Sequence, residues 1–152
     1  MTMKKIYTIK RLEWENHDDV LEFLKWLRIN GPEISKTFDY KFNWENAHVE
    51  MMIKKGIFLV GKKNDVITGF HISFLITSPL DVNVKLLQQQ LFYVMPDSGR
   101  MAYHLFQKFI DIGKSEANHI ITMLTRHTNI KPETLGRWGF KELEVLFRLE
   151  VR

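Results

Sequence analysis

The sequence predicts an α/β (α+β) fold: a single domain, residues 1–152, on a mixed, mostly antiparallel sheet with helices on both faces. Three observations carry this reading. β-rich runs and helically spaced apolar residues succeed one another in the order β-α-α-β-β-β-α-β-α-β. Three of the β runs are consecutive, and the turn chemistry between the first two favours a hairpin. The 152 residues are 45% apolar with no cysteine, enough for one core without a disulfide or a structural metal.

Each element follows from a local pattern. Ile6 to Leu12 alternates imperfectly and reads as the first strand. Asn16, ahead of Asp18 and Asp19, is an N-cap with acids in the first turn. Val20, Phe23, Leu24 and Leu27 continue at helical spacing, and Asn30-Gly31-Pro32 predicts where that helix stops. Asn43 can cap a second helix with Ala47, Met51 and Met52 as its apolar stripe, closed by Lys54, Lys55 and Gly56. Ile57 to Gly61 and Val66 to Thr77 read as strands joined by Lys63-Asn64-Asp65, with Lys62-Lys63 placed in a solvated turn. Val84 to Val94 reads as a long strand, broken by Pro96-Asp97-Ser98-Gly99. A helix from about Arg100 to Ala117 carries Ala102, Leu105, Phe106, Phe109, Gly113 and Ala117 on one face. Ile120 to Thr125 is a short buried strand, Pro132 and Gly139 bracket a short helix, and Phe140 to Val151 supplies the final β segment.

Composition excludes several function classes. Without cysteine there is no thiolate nucleophile, no cysteine-ligated zinc and no redox pair. A net charge of +4 suits an anionic ligand but falls short of a nucleic-acid footprint. No signal peptide is read behind Lys4-Lys5, and the most apolar stretch, Val66 to Leu80, is too short to span a bilayer. A cytoplasmic protein without a membrane partner is expected. His17, His48, His71, His104 and His119 lie on separate elements without i,i+4 pairing, so no metal site is expected. His71, alternating within a strand, reads as a satisfied sheet residue.

The junction at Val94 is the most informative. A helix N-terminus presents unpaired N–H groups and a partial positive charge, and the Gly99 turn with Arg100 beside it could seat a phosphate or pyrophosphate. The plain alternative is a strand-to-helix turn capped by Ser98 or Asp97. Three segments bear on the choice: Leu91-Phe92-Tyr93-Val94-Met95-Pro96-Asp97, Ala102-Tyr103-His104-Leu105-Phe106, and Leu135-Gly136-Arg137-Trp138-Gly139-Phe140. With the order of elements, they resemble the GNAT family of acyl-CoA-dependent N-acyltransferases, and Tyr103 after a small residue looks closest to phage-encoded members.

The resemblance implies acetyl-CoA as co-substrate and direct attack of an amine on the thioester. It assigns the pantetheine to the strand part Leu91, Phe92, Tyr93 and Val94, and the pyrophosphate to Ser98, Gly99, Arg100, Met101 and Ala102. Gln90 and Tyr93 would position the reacting groups. The chain departs from the family pattern in three places. The loop Asp97-Ser98-Gly99-Arg100-Met101-Ala102 keeps only the terminal small residue of Q/R-x-x-G-x-G/A and looks about two residues short. Gln88, Gln89 and Gln90 stand where a Glu often acts as base, and Leu135 stands where a Tyr often protonates the leaving thiolate.

His127, after the fifth strand, is a candidate base by its ordinary pKa near 6.5; the alternative is a partly exposed loop histidine. Phe38, Tyr40, Phe42 and Trp44 form either an aromatic wall for an acceptor or an extended segment packed on the core. Two functions remain open: an N-acyltransferase acting on a primary amine of a small molecule or protein, and an inactive member of the fold that binds a protein partner or joins an assembly. The edge of the final β segment could support a homodimer.

Overall fold

β1 (Tyr7–Arg11), β2 (Ile57–Lys63), β3 (Val66–Ser78), β4 (Asp81–Val94) and β5 (His119–Ile121) form one sheet in that spatial order. The computed structural model describes residues 4–123, 128, 130–143, 148, 149 and 151. β1 to β4 are antiparallel neighbours, while β5 runs parallel to β4. The parallel pair needs a crossover, which α3 (Met101–Glu116) supplies. α1 (His17–Phe38), α2 (Asn46–Lys55) and α4 (Pro132–Arg137) complete the order.

Alternation along the strands sorts the apolar residues into two cores. Phe58, Val60, Phe70, Ile72 and Tyr93 pack with Phe23, Leu27 and Ile34 of α1 and Val49 and Ile53 of α2. Ile57, Leu59, Leu87, Phe92 and Val94 point the other way, onto Met101, Leu105, Phe106 and Phe109 of α3. Strands buried on both faces read as nearly continuous apolar runs, as in Ile57-Phe58-Leu59-Val60. The β2–β3 connection is a two-residue hairpin in which Asn64 and Asp65 have φ of 52° and 66°, the pattern of a type I′ turn. The Asn64 Oδ1 also accepts from the Ile6 N–H at 2.9 Å, tying the turn to the start of β1.

Several local expectations are corrected by packing. α1 does not stop at Asn30-Gly31-Pro32 but runs on to Phe38. A helix-interior proline costs about 3 kcal/mol. Here the cost is opposed by Ile34, fully buried beyond it, and by Trp44, whose Cδ1 would lie 3.2 Å from a Cβ at Gly31. The stop falls at Asp39, where φ is 49° and the N–H donates to the Lys36 carbonyl.

The α2 stripe is Val49, Met52 and Ile53; Ala47 and Met51 face solvent because the helix is rotated to seat Val49 on the core. Glu45 is the α2 cap, and Asn43 instead accepts the Glu45 N–H at 3.1 Å in a turn before the helix. Lys62 and Lys63 belong to β2, because the left-handed pair Asn64-Asp65 closes the hairpin by itself. Phe38 ends α1, so only residues 40–44 form a connecting segment; Phe42 and Trp44 pack at its core side and Tyr40 is exposed. Residues 140–143, 148, 149 and 151 of the expected final β segment are not in a strand, and the rest of it lies outside the described residues. No helix among the described residues is long and apolar enough to cross a membrane.

Gly69 and Gly136 separate two kinds of glycine. A Cβ on Gly69 would sit 2.8 Å from the Tyr93 carbonyl, a backbone atom that cannot yield, whereas one on Gly136 meets nothing within 4 Å. Gly69→Ala is expected to lower unfolding free energy by about 1–3 kcal/mol in urea titration. Gly136→Ala, inside α4, is expected to raise it by up to about 1 kcal/mol.

Candidate functional site

β3 and β4 pair Ile72 with Leu91 and Ser73 with Gln89, so Gln90 is one residue too many for its partner strand. A β-bulge of this kind bends its strand and resets the side-chain alternation. Gln89 and Phe92 therefore both lie on the α3 side, although they are three residues apart, and Gln90 is exposed between them. Just before the bulge, the β4–β5 ladder among the described residues ends at Gln88↔Ile121.

At that point a polar chain takes over, buried at His71 and Gln89 and partly exposed at Thr122 and Met123. The Gln89 Nε2 donates to the Met123 carbonyl at 3.1 Å, and Thr122 Oγ1 donates to Gln89 Oε1 at 2.6 Å. The His71 Nε2 lies 3.3 Å from the same Oε1, which can only accept, so that ring nitrogen carries the proton. His71 and Gln89 are both almost wholly buried, and the His71 ring packs 4.3 Å from Phe109 and 4.9 Å from Phe92 between centroids. The His71 Nδ1 is buried without a partner among the described residues. Burial pushes the imidazole pKa down to about 3, against a smaller upward push from Gln89.

Beyond Val94 the chain turns sharply. Asp97 and Gly99 have φ of 63° and 65°, and the Ser98 N–H donates to the Met95 carbonyl at 3.3 Å. Gly99 is required twice over, by its positive φ and because a side chain there would collide with the Tyr7 hydroxyl. That hydroxyl accepts the Arg100 N–H at 3.1 Å, and Lys63 Nζ donates to the Asp97 carbonyl at 3.1 Å. β1 and β2 thus brace the loop from the side. The Tyr7 ring stacks on His104 with centroids 4.6 Å apart, and the Arg100 guanidinium lies 5.5 Å from the Tyr103 ring centroid. In the first turn of α3, the N–H groups of Ala102 and Tyr103 meet no acceptor among the described residues. A 16-residue helix aims its positive end there.

The residues singled out from the sequence fall into groups. Ser98, Gly99, Arg100, Met101 and Ala102 come together at the loop and the start of α3; the Met101 and Ala102 side chains are core residues, so only their backbone faces outward chemistry. Phe92 and Val94 pack under α3. Tyr93 points the other way, among Trp26, Phe38 and Phe70, and its phenol is pushed up by burial and by the Glu33 carboxylate. Leu135 is packed in the α3 core, and His127 lies outside the described residues.

Sequence reasoning missed Tyr7 and Lys63 as parts of this region, and it did not separate Gln89 from Gln88 and Gln90. Tyr7 and Lys63 are register partners 56 positions apart, a relation visible only once β1 pairs with β2. His71 is held by Gln89 on one nitrogen and unsatisfied on the other, so it is only half the satisfied residue expected. Two surface cavities, of about 260 and 250 Å³, lie on the α1 side of the sheet, one beside Thr8 and Glu22 and the other beside Leu24 and Trp44.

No family profile matches the sequence, and no curated protein matches it by sequence. Solved structures match in fold. An aminoglycoside acetyltransferase from an uncultured soil metagenomic sample superposes with a TM-score of 0.67 at 14% identity, covering 97% of this chain and 99% of that one. Glucosamine-6-phosphate N-acetyltransferase from Arabidopsis thaliana gives 0.67 at 10% identity, with the same coverage of 97% and 99%. The ribosomal-protein-alanine N-acetyltransferase of Brucella melitensis biovar Abortus 2308 gives 0.63 at 13% identity, covering 95% and 99%.

The buried His71 has a consequence for stability. Its folded pKa lies below its unfolded value of 6.5, so the unfolded chain alone gains the proton as pH falls. The contribution is present above pH 6.5 and is lost as pH falls toward 3. Between pH 6.5 and 5 the loss is expected to be about 2 kcal/mol. Urea unfolding of wild type and His71→Gln at both pH values should show the variant flatter by that amount; parallel curves would contradict a neutral buried imidazole.

Proposed function

Because the chain has the GNAT fold, we propose that it is an acetyl-CoA-dependent N-acyltransferase that passes its acyl group directly to a primary amine. The observation that carries this reading is the open first turn of α3, set behind the Gly99 loop just beyond the Gln90 bulge of β4. Acyl-CoA as co-substrate supplies an activated thioester and two linked phosphates. The N–H groups of Ala102 and Tyr103 and the charge of Arg100 fit an anion at the head of α3. Ser98 and Gly99 keep the approach to those donors narrow, and the backbone of residues 91–94 offers amide groups along the strand.

Gln90, exposed at the bulge, is suited to orient the amine by hydrogen bonding. With no cysteine in the chain, no acyl-cysteine forms: the amine nitrogen bonds to the acyl carbon, the C–S bond breaks, and one proton leaves the nitrogen as the thiolate gains one. Tyr93, whose phenol is held above its ordinary pKa, stays protonated near neutrality and keeps a proton to donate. His127 is assigned the role of base. Holding the two reactants together supplies much of the acceleration when the amine is uncharged. The acceptors named for the structural neighbours, an aminoglycoside, glucosamine-6-phosphate and a ribosomal-protein alanine, define the amine classes to try first.

A second reading is favoured by one observation. The Tyr7 hydroxyl already occupies the Arg100 N–H, and Asp97 places a carboxylate in the same loop. These features suit a GNAT-fold protein that binds a protein partner without turnover. The two readings separate by calorimetry and by assay. Acetyl-CoA titration is expected to give saturable binding that Arg100→Glu weakens by about tenfold or more, a change of about 1.4 kcal/mol. Acetyl transfer to at least one of the amine classes above should follow. Absence of heat and of any thermal shift at millimolar acetyl-CoA would leave the binding-protein reading.

A further inference from the structure

We infer that Tyr7 and Lys63 form a phosphate-binding pair on the β1–β2 side of the loop, which takes a phosphate monoester, the 3′-phosphate of acyl-CoA. The inference rests on the acyl-CoA reading above for the ligand it names, though not for the site itself.

Adjacent residues of a strand point to opposite faces of the sheet, and β2 ends in two lysines that meet different surroundings. Lys62 turns toward α1, where its Nζ lies 2.8 Å from a Glu22 carboxylate oxygen. Lys63 turns toward the loop, and no carboxylate pairs with it among the described residues. It is partly buried, and its Nζ donates to the Asp97 carbonyl at 3.1 Å. An ammonium group has three donors, so two remain for a ligand. The loop holds this charge in place without neutralising it.

Tyr7 is the register partner of Lys63. Its hydroxyl accepts the Arg100 N–H at 3.1 Å, which occupies a lone pair and leaves its own proton free. No described residue accepts that proton, and a hydroxyl that accepts one hydrogen bond becomes a stronger donor in the next. The two groups flank one backbone position. A Cβ on Gly99 would lie 3.6 Å from Lys63 Nζ and would collide with the Tyr7 hydroxyl, so the glycine lets both reach the loop together. Stacking on His104, one turn into α3, fixes the Tyr7 ring. The Asp97 carboxylate is exposed and pairs with no cation among the described residues. A fixed cation beside a free hydroxyl donor suits a dianionic monoester, whose oxygens accept several charge-assisted hydrogen bonds at once. The N–H groups of Ala102 and Tyr103 are left for the two linked phosphates, and the pair supplies a separate place for the third.

Calorimetry with acetyl-CoA and with its analogue lacking the 3′-phosphate tests the inference, because only the difference between the two ligands reports on a monoester site. Wild type is expected to bind acetyl-CoA about tenfold more tightly than the dephospho analogue. Lys63→Met keeps an apolar stem and removes the charge, and is expected to remove most of that preference, while Lys63→Arg keeps part of it. Tyr7→Phe is expected to reduce the preference by about threefold. If wild type binds both ligands equally, or if Lys63→Met weakens both by the same factor, Lys63 only braces the loop and the inference is wrong. If wild type binds neither ligand, the acyl-CoA reading fails, and titration with inorganic phosphate decides the site through the Arg100 amide signal in NMR. A saturable shift that Lys63→Met removes keeps the pair as a phosphate site. No shift, or the same shift in both proteins, overturns it.

Discussion

β4 carries one residue more than β3 can pair, and the position of that residue at Gln90 governs what lies on either side. Before it, β4 is an ordinary inner strand with β3 on one edge and β5 on the other. After it, the alternation is reset, Phe92 and Val94 turn under α3, and Tyr93 turns toward α1. Had the strand continued without the bulge, the residues from 91 onward would exchange faces, placing Tyr93 under α3 and Phe92 against α1. The direction in which Val94 leaves the sheet, and so the place where α3 begins, follows from that single insertion.

The polar chain beside the bulge shows how such a break is tolerated. Ending a ladder inside a sheet exposes backbone groups that burial would leave unsatisfied. Gln89 answers that need for Met123, while Thr122 and His71 answer the need of Gln89 itself. What remains is the His71 Nδ1, an acceptor among aromatic rings that meets no donor among the described residues. The imidazole stays neutral there, since a charge in that environment would be far more costly than the missing hydrogen bond. At the other end of β4, the loop is braced by Tyr7 and Lys63, so the head of α3 is defined by the first two strands as well as by the fourth.

The elements themselves were largely legible. Apolar spacing in α3, the Asn-Asp turn of the hairpin and the Pro and Gly at the ends of α4 each express a local rule, and these elements formed within a few residues of their expected places. α1 was misjudged because Asn30-Gly31-Pro32 is a stop signal by its own chemistry, while the reason to continue lies in Trp44, thirteen residues past Gly31. α2 was misjudged in its rotation, since Ala47 and Met51 are as apolar as Val49 and only the position of the sheet decides which is covered. For the candidate site, the segment from Ser98 to Ala102 could be found as a Gly-containing turn before a helix. Its neighbours could not, because a lone Tyr in a first strand carries no mark of the loop it will meet.

By itself, the sequence determined the kind and order of the elements from β1 to α4, the absence of any cysteine chemistry and the location of the strand-to-helix turn. These depend on interactions between residues a few positions apart. Only the tertiary structure decided that Tyr7 occupies the Arg100 N–H, that Gln89 rather than Gln88 or Gln90 is buried beside His71, and that the helix passes through Pro32. Each of those outcomes depends on strand register or on burial against a distant element. In three consecutive glutamines, identical in chemistry, a difference in role can arise only from the positions the pleat and the bulge give them.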